Sequence, residues 1–315
     1  MKIFQRAEIE AVIRQPEAIA AIAAGFVAYS KGEVTVPPVG YLGFTHPPGD
    51  LHIKYGHIRG DAVCVVKIAT SFYDNPKLGL SSSGGLMLVF SARTGVPEVA
   101  LIDGGFLTDF RTAAAGAVAA QHLAPKNLRA IGIIGAGIQA RLQLDLLRQV
   151  TPCRRAIVWA RDPEKARAYQ IEGFTIEVAA SVAELAARSN LIVTTTPANE
   201  ILLRAEDVRP GTHITAVGAD SPGKQELDPA LFARAEVLAV DSRLQCFDHG
   251  DSSHALRLSF ASRERFVELG ELIADPRLAR TREDQITIAD LTGLAVQDIQ
   301  IAKLALAGLG RNPAV

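Results

Sequence analysis

The feature that most constrains the fold is a glycine turn between an apolar run and a helical run near the middle of the chain. Residues 130–134 predict a short buried strand, and the turn after it reads Gly135, Ala136, Gly137, Ile138, Gln139 and Ala140. The first glycine permits a tight turn, the second lets the backbone approach a pyrophosphate, and the small Ala140 allows close packing of helix on strand. A helix that opens at Gln139 presents free N–H groups to the phosphates. The turn therefore predicts a bound dinucleotide.

The stretch that follows continues the alternation of strands and helices. Short apolar runs, separated by helical runs, lie at residues 156–160, 175–178, 191–195, 213–217 and 237–240. This spacing is typical of βαβ units in a doubly wound parallel sheet of the Rossmann type. A glycine turn without a ligand is the alternative, and the complete βαβ context favours the dinucleotide.

The segments on either side of these units have a different texture. Residues 7–31 predict amphipathic helices, and short β-branched runs broken by glycine, proline, asparagine and aspartate fill residues 34–103. An alanine-rich helix is predicted over 104–123, and a last helical run covers 292–309. We therefore predict an α/β protein of two domains. The domains are a Rossmann-type dinucleotide-binding domain over residues 125–290 and an α+β domain formed by residues 1–124 with 291–315.

The composition limits the kinds of partner. With 33 Lys and Arg against 34 Asp and Glu, the chain has no basic surplus for a nucleic acid. No window approaches the ~20 apolar residues that span a bilayer, and the charged N-terminus lacks the apolar stretch of a signal peptide. The 3 cysteines are widely separated and fit a reducing cytosol. We therefore expect a cytoplasmic protein with neither a nucleic-acid nor a membrane partner.

The end of the second predicted strand bears on the choice of cofactor. About twenty residues after the turn, an acid in NAD-binding domains of this type accepts the adenosine 2′-hydroxyl. This chain reads Trp159, Ala160, Arg161 and Asp162 there. Arg161 can pair with a 2′-phosphate. Asp162 can take the hydroxyl if the loop is longer, or it can cap the next helix. We expect NADP(H) or NAD(H), with NADP(H) slightly favoured.

Three charged residues stand in stretches that are otherwise apolar or tightly patterned. Lys67 follows an apolar run, Arg111 lies near the start of an alanine-rich helix, and Asp220 follows a strand at the carboxyl edge of the predicted sheet. Near the N-terminus of a helix, the Arg111 guanidinium gains nothing from the helix dipole. A ligand carboxylate is therefore an attractive partner for it. The structural alternatives are solvent exposure for Lys67, an ion pair with Asp103 or Asp109 for Arg111, and a turn cap for Asp220.

Taken together, these motifs resemble the ornithine cyclodeaminase/μ-crystallin family, which also includes some alanine dehydrogenases and ketimine reductases. The matching stretches cover nearly the whole chain and comprise residues 66–68, 107–119, 132–140, 216–220, 268–271 and 290–298. Within the family, residues 75–80, 91–95 and 284–287 look most like ectoine-utilisation proteins, whereas residues 220–227 look like true ornithine cyclodeaminases. The cues conflict, so they identify the family and not the substrate.

The resemblance implies an NAD(P)-dependent oxidoreductase or cyclodeaminase that transfers a hydride at the Cα of a small amino acid or cyclic imino acid. It implies that Arg111 binds the substrate carboxylate, that Lys67 assists and orients a catalytic water, and that Asp220 handles the amine protons. It also implies that the α+β domain binds substrate and forms a homodimer. The alternative is a μ-crystallin-like protein that binds NADPH and a small ligand without turnover.

One departure from the family concerns the substrate pocket. A second carboxylate-binding arginine usually follows a proline in an early strand, but residues 36–41 contain no arginine. Lys54, His57 or Arg59 in the next strand is a candidate replacement. Ser82 belongs to a serine-rich loop that we expect to line the pocket.

Further cofactor contacts are implied beside the glycine turn. The resemblance adds Thr112, Val217 and Gly218, and Thr195 and Thr196 follow a strand where they are expected to line the phosphates or the ribose. No metal site is predicted, because the histidines and aspartate of residues 249–254 lack a firm ligand spacing.

Overall fold

A computed structural model describes residues 1–72 and 74–311 of the chain. The elements before the glycine turn are β1 (Lys2–Gln5), α1 (Arg6–Val12), α2 (Gln15–Ser30), β2 (Val34–Thr35), β3 (Gly40–Thr45), β4 (Pro48–Ile58), β5 (Val63–Phe72), β6 (Ser83–Ser91), β7 (Pro97–Ile102) and α3 (Phe106–Leu123). Those that follow are β8 (Ile131–Ile134), α4 (Ile138–Leu147), β9 (Arg155–Trp159), α5 (Pro163–Arg167), β10 (Thr175–Val178), α6 (Val182–Arg188), β11 (Leu191–Thr194), β12 (Asn199–Leu203), β13 (His213–Ala216), β14 (Gln225–Leu227), α7 (Ala230–Arg234), β15 (Val237–Val240), α8 (Arg243–His249), α9 (Asp251–Arg257), β16 (Phe266–Glu268), α10 (Leu269–Ala274), β17 (Thr287–Asp290) and α11 (Ala295–Gly308).

The chain divides into two compact units, which are Met1–Arg111 with Leu294–Val315 (unit 1) and Thr112–Gly293 (unit 2). The sequence placed the first boundary after residue 124, whereas this division falls inside α3. The reason lies in the packing of α3 within unit 2. The side-chain amide of Gln143 donates to the Thr112 carbonyl over 3.2 Å, and a Cβ at Gly116 would lie 2.0 Å from Gln143 Oε1. The second boundary moves from residue 290 to residue 293.

The N-terminal helices form where the apolar spacing predicts them. A capping box opens α1, in which the Gln5 N–H donates to Glu8 over 2.8 Å. Helix α2 carries a proline in its first turn and buries Ile22 and Phe26. Over the described residues, no helix by itself has the length and apolar character to span a membrane, whereas α1 and α2 meet that test as a pair bent by 88°.

Unit 1 is built on one twisted sheet. Its strand order is β1, β7, β6, β5, β4 and β2, with β3 also paired to β4. The pair β1–β7 is parallel and the other pairs are antiparallel, which confirms the predicted α+β character. Helix α11 packs on β4, β5 and α2. Gly56 permits the close approach of β2 to β4, because a Cβ there would lie 2.7 Å from the Thr35 carbonyl oxygen.

The two faces of this sheet differ in environment because side chains alternate along each strand. On the face toward α11, the paired residues Lys54 and Lys67 are both buried. On the opposite face, Tyr55, Val66 and Leu88 are cross-strand neighbours. Tyr55 is 40% exposed and the other two are half-buried. The second face is therefore apolar and partly exposed.

Unit 2 is a doubly wound parallel sheet in the order β10, β9, β8, β11, β13, β17, β15 and β16. Its strand pairs are parallel, and the order reverses between β8 and β11. The predicted Rossmann-type fold is thus confirmed. The central strands are buried along their whole length, as expected when helices cover both faces. The short parallel pair β12–β14, which the apolar pattern did not reveal, forms a separate small sheet.

Candidate functional site

The glycine turn joins β8 to α4 as predicted, and its two glycines serve different purposes. Gly135 has φ +124°, and a Cβ there would lie 2.4 Å from Thr195 Oγ1, so the protein itself requires glycine. Gly137 precedes the first residue of α4 with φ −81°, and a Cβ there would meet no atom within 4 Å. The fold therefore leaves open space at this helix N-terminus. A pyrophosphate fits such a cradle, where free N–H groups and the helix dipole favour an anion.

The remaining residues of the turn flank this cradle. Ile138 is 44% exposed at the start of α4, and Gln139 is half-buried beside it. Ala140 is buried, and its carbonyl accepts the Tyr169 hydroxyl over 2.7 Å. Ala140 belongs to the same buried cluster as Ile131 and Ile133 of β8.

Thr195 and Thr196 follow β11 at the carboxyl edge of the sheet, next to the glycine turn. Thr195 Oγ1 donates to the Ile134 carbonyl over 3.0 Å. The N–H and hydroxyl of Thr196 both donate to Glu226 Oε1, over 2.6 and 2.7 Å. Both hydroxyl protons are therefore engaged within the protein, so these threonines shape the groove through their backbone and methyl groups.

Val217 and Gly218 extend β13 at the same edge. The Gly218 N–H donates to Glu226 Oε2 over 2.9 Å, and a Cβ on Gly218 would lie 2.2 Å from the Thr196 carbonyl oxygen. Val217 is buried beside it. The ends of β11 and β13 are thus held at a separation that only glycine allows.

Glu226 is the acid that joins these strand ends, and it is completely buried. Besides Thr196 and Gly218, the Thr194 hydroxyl donates to Oε2 over 2.7 Å. The pKa of Glu226 is raised, because the effect of burial exceeds that of the hydrogen bonds to its carboxylate, which lower it. Asp251 lies behind it, and its Oδ1 accepts the N–H groups of Glu226 and Leu227 over 3.0 and 2.9 Å.

Asp290 is a further acid buried near Asp251. The Ser252 N–H donates to Asp290 Oδ2 over 2.7 Å, and burial raises the pKa of Asp290 to about 7. Burial and the neighbouring carboxylates of Asp290 and Glu226 raise the pKa of Asp251 well above its usual range. These effects favour the protonated form of Asp251.

Arg161 and Asp162 lie after β9, where the sequence analysis sought the cofactor determinant. The Asp162 carboxylate accepts the Glu164 N–H over 3.0 Å and caps α5, which is one of its predicted alternatives. The Arg161 side chain is exposed. An exposed guanidinium at this strand end is free to meet a phosphate of the adenosine half.

Asp220 lies half-exposed at the carboxyl edge of the sheet, in the turn after β13. Lys224 Nζ lies 2.6 Å from its Oδ1, and the Ser221 hydroxyl donates to the same oxygen over 3.2 Å. The turn and its lysine thus give this carboxylate a fixed place at the sheet edge where α/β proteins bind ligands.

In unit 1, Lys67 and Arg111 meet at one buried carboxylate. Lys67 on β5 is 2% exposed, so its placement differs from the solvent-exposed alternative, and its Nζ lies 3.8 Å from Asp298 Oδ2. Arg111 Nε lies 3.0 Å from Asp298 Oδ1, and Arg111 Nη1 donates to Gln297 Oε1 over 2.5 Å. The ion pair of Arg111 is therefore with Asp298 on α11, and not with Asp103, which instead accepts the Leu107 N–H at the start of α3.

The three candidates for the missing arginine differ in where the strand places them. Lys54 pairs directly with Lys67 across β4 and β5, so both side chains project from one face. His57 is three residues further along and projects from the other face, where its Nε2 contacts the Asp61 carbonyl at 3.1 Å. Arg59 lies beyond the strand and donates to the Gly32 carbonyl. Only Lys54 of the three shares the buried face with Lys67.

Ser82 and the histidine loop are the remaining predicted positions. The Ser82 carbonyl accepts the Phe72 N–H over 2.9 Å just before β6. His249 contacts Asp248, and His254 contacts the Lys224 carbonyl. Within residues 1–72 and 74–311, no group of three or more histidine, cysteine, aspartate or glutamate side chains is arranged to hold a metal ion.

Three residues with clear structural importance received no role from the sequence. Gln297 and Asp298 stand in an apolar helical run, and an acid in such a run is the signal that could have marked a buried partner for a cation. Glu226 stands in a three-residue strand too short to show any periodicity. Its hydrogen bonds join residues 8 to 32 positions apart, and no local pattern reveals them.

Comparison with known proteins gives one consistent result. Residues 1–307 match the model of the ornithine cyclodeaminase/mu-crystallin family. An uncharacterized cyclodeaminase of Sinorhizobium fredii is 44% identical over 278 residues, which are 86% of this chain and 84% of that protein. Two solved structures align with 98% of this chain. They are Δ1-pyrroline-2-carboxylate reductase of Thermococcus litoralis with NADH and L-proline (TM-score 0.92, 28% identity, 97% of that chain) and an archaeal alanine dehydrogenase dimer with NAD (TM-score 0.89, 34% identity, 95% of that chain).

The open space at Gly137 yields a test of the nucleotide cradle. Gly137→Ala is expected to leave the free energy of unfolding unchanged, because the new methyl group meets no protein atom. It is expected to weaken binding of a pyridine nucleotide about tenfold or more, because the methyl occupies the space of the pyrophosphate. Urea unfolding and calorimetric titration measure the two effects.

Gly132→Ala is the matched control for Gly137→Ala. A Cβ at Gly132 would lie 2.5 Å from Leu185 and Ser189, so overpacking is expected to cost about 1–3 kcal/mol of stability. If Gly137→Ala destabilised the protein as Gly132→Ala does, or bound nucleotide as the wild type does, the cradle would be wrongly placed.

Proposed function

Because the chain belongs to the ornithine cyclodeaminase/mu-crystallin family, as its sequence motifs predicted, we propose that it is a pyridine-nucleotide-dependent enzyme. It transfers a hydride at the Cα of a small amino acid or of the corresponding imino acid. The observation that carries this proposal is the pair of buried cations, Lys67 and Arg111, held by the single carboxylate of Asp298. The names of the similar proteins support the same chemistry, since they are a cyclodeaminase, a pyrroline-carboxylate reductase and an alanine dehydrogenase.

The substrate carboxylate is bound by Arg111 and Lys67. Both cations are buried and lie at the same carboxylate of Asp298, and an α-carboxylate is an anion that a lysine and an arginine side by side can bind. Asp298 and Gln297 hold the guanidinium from one side, which fixes its orientation before the substrate arrives. Lys54 stands in for the missing arginine of the early strand, because it shares the buried face with Lys67. Ser82 is a further pocket residue.

Asp220 is the residue that accepts and returns the amine protons of the substrate. An amine must be neutral before hydride leaves its Cα, and a nearby carboxylate accepts the proton. Loss of one hydride and one proton converts the amine to an imine, and the reverse steps reduce an imine. When bound, the nucleotide supplies the hydride acceptor or donor. Lys67 assists by orienting a water where the imine is hydrolysed.

The nucleotide is held by the glycine turn and by the ends of β11 and β13. Gly135, Gly137, Ile138, Gln139 and Ala140 form the phosphate cradle, and the other contacts are with Thr112, Thr195, Thr196, Val217 and Gly218. We propose NADP(H) over NAD(H), because the exposed Arg161 lies where the adenosine 2′-position is read and the adjacent acid, Asp162, caps a helix. NAD(H) is the cofactor named for the two solved structures, so this preference is a feature of this chain to be tested.

A homodimer is proposed through the partly exposed face of the unit 1 sheet. Tyr55, Val66 and Leu88 form an apolar row across β4, β5 and β6 on that face. Apolar sheet faces of this kind are stabilised when a partner covers them. A second copy of the chain is the natural partner, and the similar alanine dehydrogenase is described as a dimer.

The activity is tested by following the absorbance of reduced nicotinamide while amino acids and cyclic imines are offered. We expect turnover with at least one of alanine, proline, ornithine, lysine or their imines. Asp220→Asn is expected to lower kcat/KM about a hundredfold or more, because general base catalysis is lost. Asp248→Asn, at an acid that is 77% exposed, is the control and is expected to act as the wild type. Nucleotide binding without any turnover would favour the binding-protein alternative.

The cofactor preference is tested by Arg161→Ala. Loss of one charge-assisted pair to a phosphate is expected to raise the Kd for NADPH about tenfold while the Kd for NADH stays within twofold. Calorimetric titration with both nucleotides measures the difference. Equal affinities for NADPH in the two proteins would refute the assignment of Arg161.

The dimer is tested by Leu88→Glu, which puts a charge in the apolar row. Light scattering should give the wild type twice the 33.6 kDa of one chain and the variant close to that single mass. Leu244→Glu, at a leucine that is 78% exposed in unit 2, is the control and should remain dimeric. A monomeric wild type, or a dimeric Leu88→Glu, would place the contact elsewhere.

A further inference from the structure

Glu226 stands out among the buried acids because hydrogen-bond donors surround both of its oxygens. Oε1 accepts from the N–H and hydroxyl of Thr196, and Oε2 accepts from the Thr194 hydroxyl and the Gly218 N–H. Two of these donors are backbone N–H groups, one on each oxygen, and such groups can only donate. A carboxylate satisfies all four donors, whereas a proton on either oxygen competes with them. These four hydrogen-bond donors therefore favour the ionised form of Glu226.

Asp251, the acid next to Glu226, has fewer hydrogen-bond donors around its carboxyl group. Asp251 Oδ1 accepts two backbone N–H groups, but its Oδ2 is buried and has no hydrogen-bond partner among the described residues. Two adjacent carboxylates in a buried site do not both ionise readily, and the better solvated one keeps the charge. Asp251 therefore holds the proton at Oδ2, and Glu226 is the anion.

The Glu226 anion has no cation beside it. In the part of the chain that the structure describes, none of the ion pairs places an arginine or lysine against Glu226. Its carboxylate accepts hydrogen bonds from Thr194, Thr196 and Gly218, and its N–H donates to the Asp251 carboxylate. A buried charge without a counter-charge is stabilised by hydrogen bonds alone and attracts any cation that comes near.

The position of Glu226 indicates which part of the nucleotide is affected. In doubly wound sheets the dinucleotide lies across the point where the strand order reverses, here between β8 and β11. Arg161 follows β9 on the adenosine side. The ends of β11 and β13, which Glu226 joins, therefore lie on the nicotinamide side. The nicotinamide ring is cationic when oxidised and neutral when reduced.

We propose that Glu226 is a positioning residue that fixes the ends of β11 and β13 for the nicotinamide half, and that its charge favours binding of the oxidised nucleotide over the reduced one. This inference rests on the proposed function, since it requires that the chain bind a pyridine nucleotide. The positioning acts on both forms of the nucleotide alike. The charge acts on the oxidised form alone, so the ratio of the two Kd values separates the contributions.

The experiment is calorimetric titration of the full chain with the oxidised and the reduced nucleotide that it binds more tightly, NADP or NAD. Glu226→Gln removes the charge at nearly constant volume and turns an amide N–H₂ toward groups that donate. We expect the Kd of the reduced form to rise severalfold, and the ratio of oxidised to reduced Kd to rise by a further factor on the order of five. Glu226→Asp keeps the charge but shortens the side chain, so both Kd values should rise alike and the ratio should stay within twofold.

Thr194→Val is a milder control, because it removes one donor to Glu226 and leaves the charge in place. Its ratio of Kd values should equal that of the wild type. Equal weakening of both forms in Glu226→Gln would overturn the electrostatic part of the proposal, and unchanged affinities in both Glu226 variants would overturn the positioning part. If Glu226→Gln does not fold, as judged by circular dichroism, Glu226→Asp still decides the positioning part. A wild type that binds no pyridine nucleotide would refute the proposed function itself, and this inference with it.

Discussion

The close approach of backbone segments at the carboxyl edge of the parallel sheet is the constraint on which unit 2 depends. Gly135 faces the Thr195 hydroxyl and Gly218 faces the Thr196 carbonyl at distances where no Cβ fits. Glu226 accepts hydrogen bonds from Thr196 and Gly218 and so holds the loops after β11 and β13 together. A groove with a glycine-lined floor results, and Gly137 adds open space at the start of α4. The positions of these backbone segments are thus set by contacts within the protein itself.

Unit 1 depends on a different constraint, which is the burial of two cationic side chains. Lys67 on β5 and Arg111 on α3 are both nearly inaccessible to solvent, and burial of such charges is costly unless they are paired. Asp298 on α11 pairs with both, and Gln297 accepts one further guanidinium hydrogen. Removal of one partner from a buried pair typically costs about 3–5 kcal/mol, so α11 is tied to the sheet by charge as well as by apolar packing.

The sequence predicted the parts of this architecture that depend on local pattern. The parallel strands of unit 2 have strong apolar runs, and β10 and β15 begin and end at the predicted residues. The positions of Lys67, Arg111 and Asp220 were recognisable because a charge is costly in such runs, or because it follows a strand. The elements that were not predicted are those without a local signal. Strand β1 is set by its parallel pairing with β7 almost a hundred residues later, and β14 has only three residues.

Partners distant in the sequence explain the rest of the site. Arg111 had two acids within eight residues, yet its ion pair is with Asp298, because Arg111 and α11 belong to the same unit although they lie far apart in the sequence. The same holds for Lys54. Only the strand register shows that Lys54, and not His57 or Arg59, is the cross-strand neighbour of Lys67. Composition and motif show that charges are needed, but pairing across the fold decides which charges meet.

The two units also differ in the sign of the buried charges that the proposed function uses. In unit 1, two buried cations meet at one carboxylate, which suits a substrate that always carries an α-carboxylate. In unit 2, four hydrogen bonds stabilise the Glu226 anion, and no arginine or lysine of the described residues forms an ion pair with it, which suits a ring that gains positive charge on oxidation. Buried charges of this kind reduce the stability of the ligand-free protein, because each is stabilised less well than it would be in water. That cost is recovered when a ligand of opposite charge binds, so the same electrostatic imbalance that lowers stability provides discrimination between substrate classes and between cofactor oxidation states.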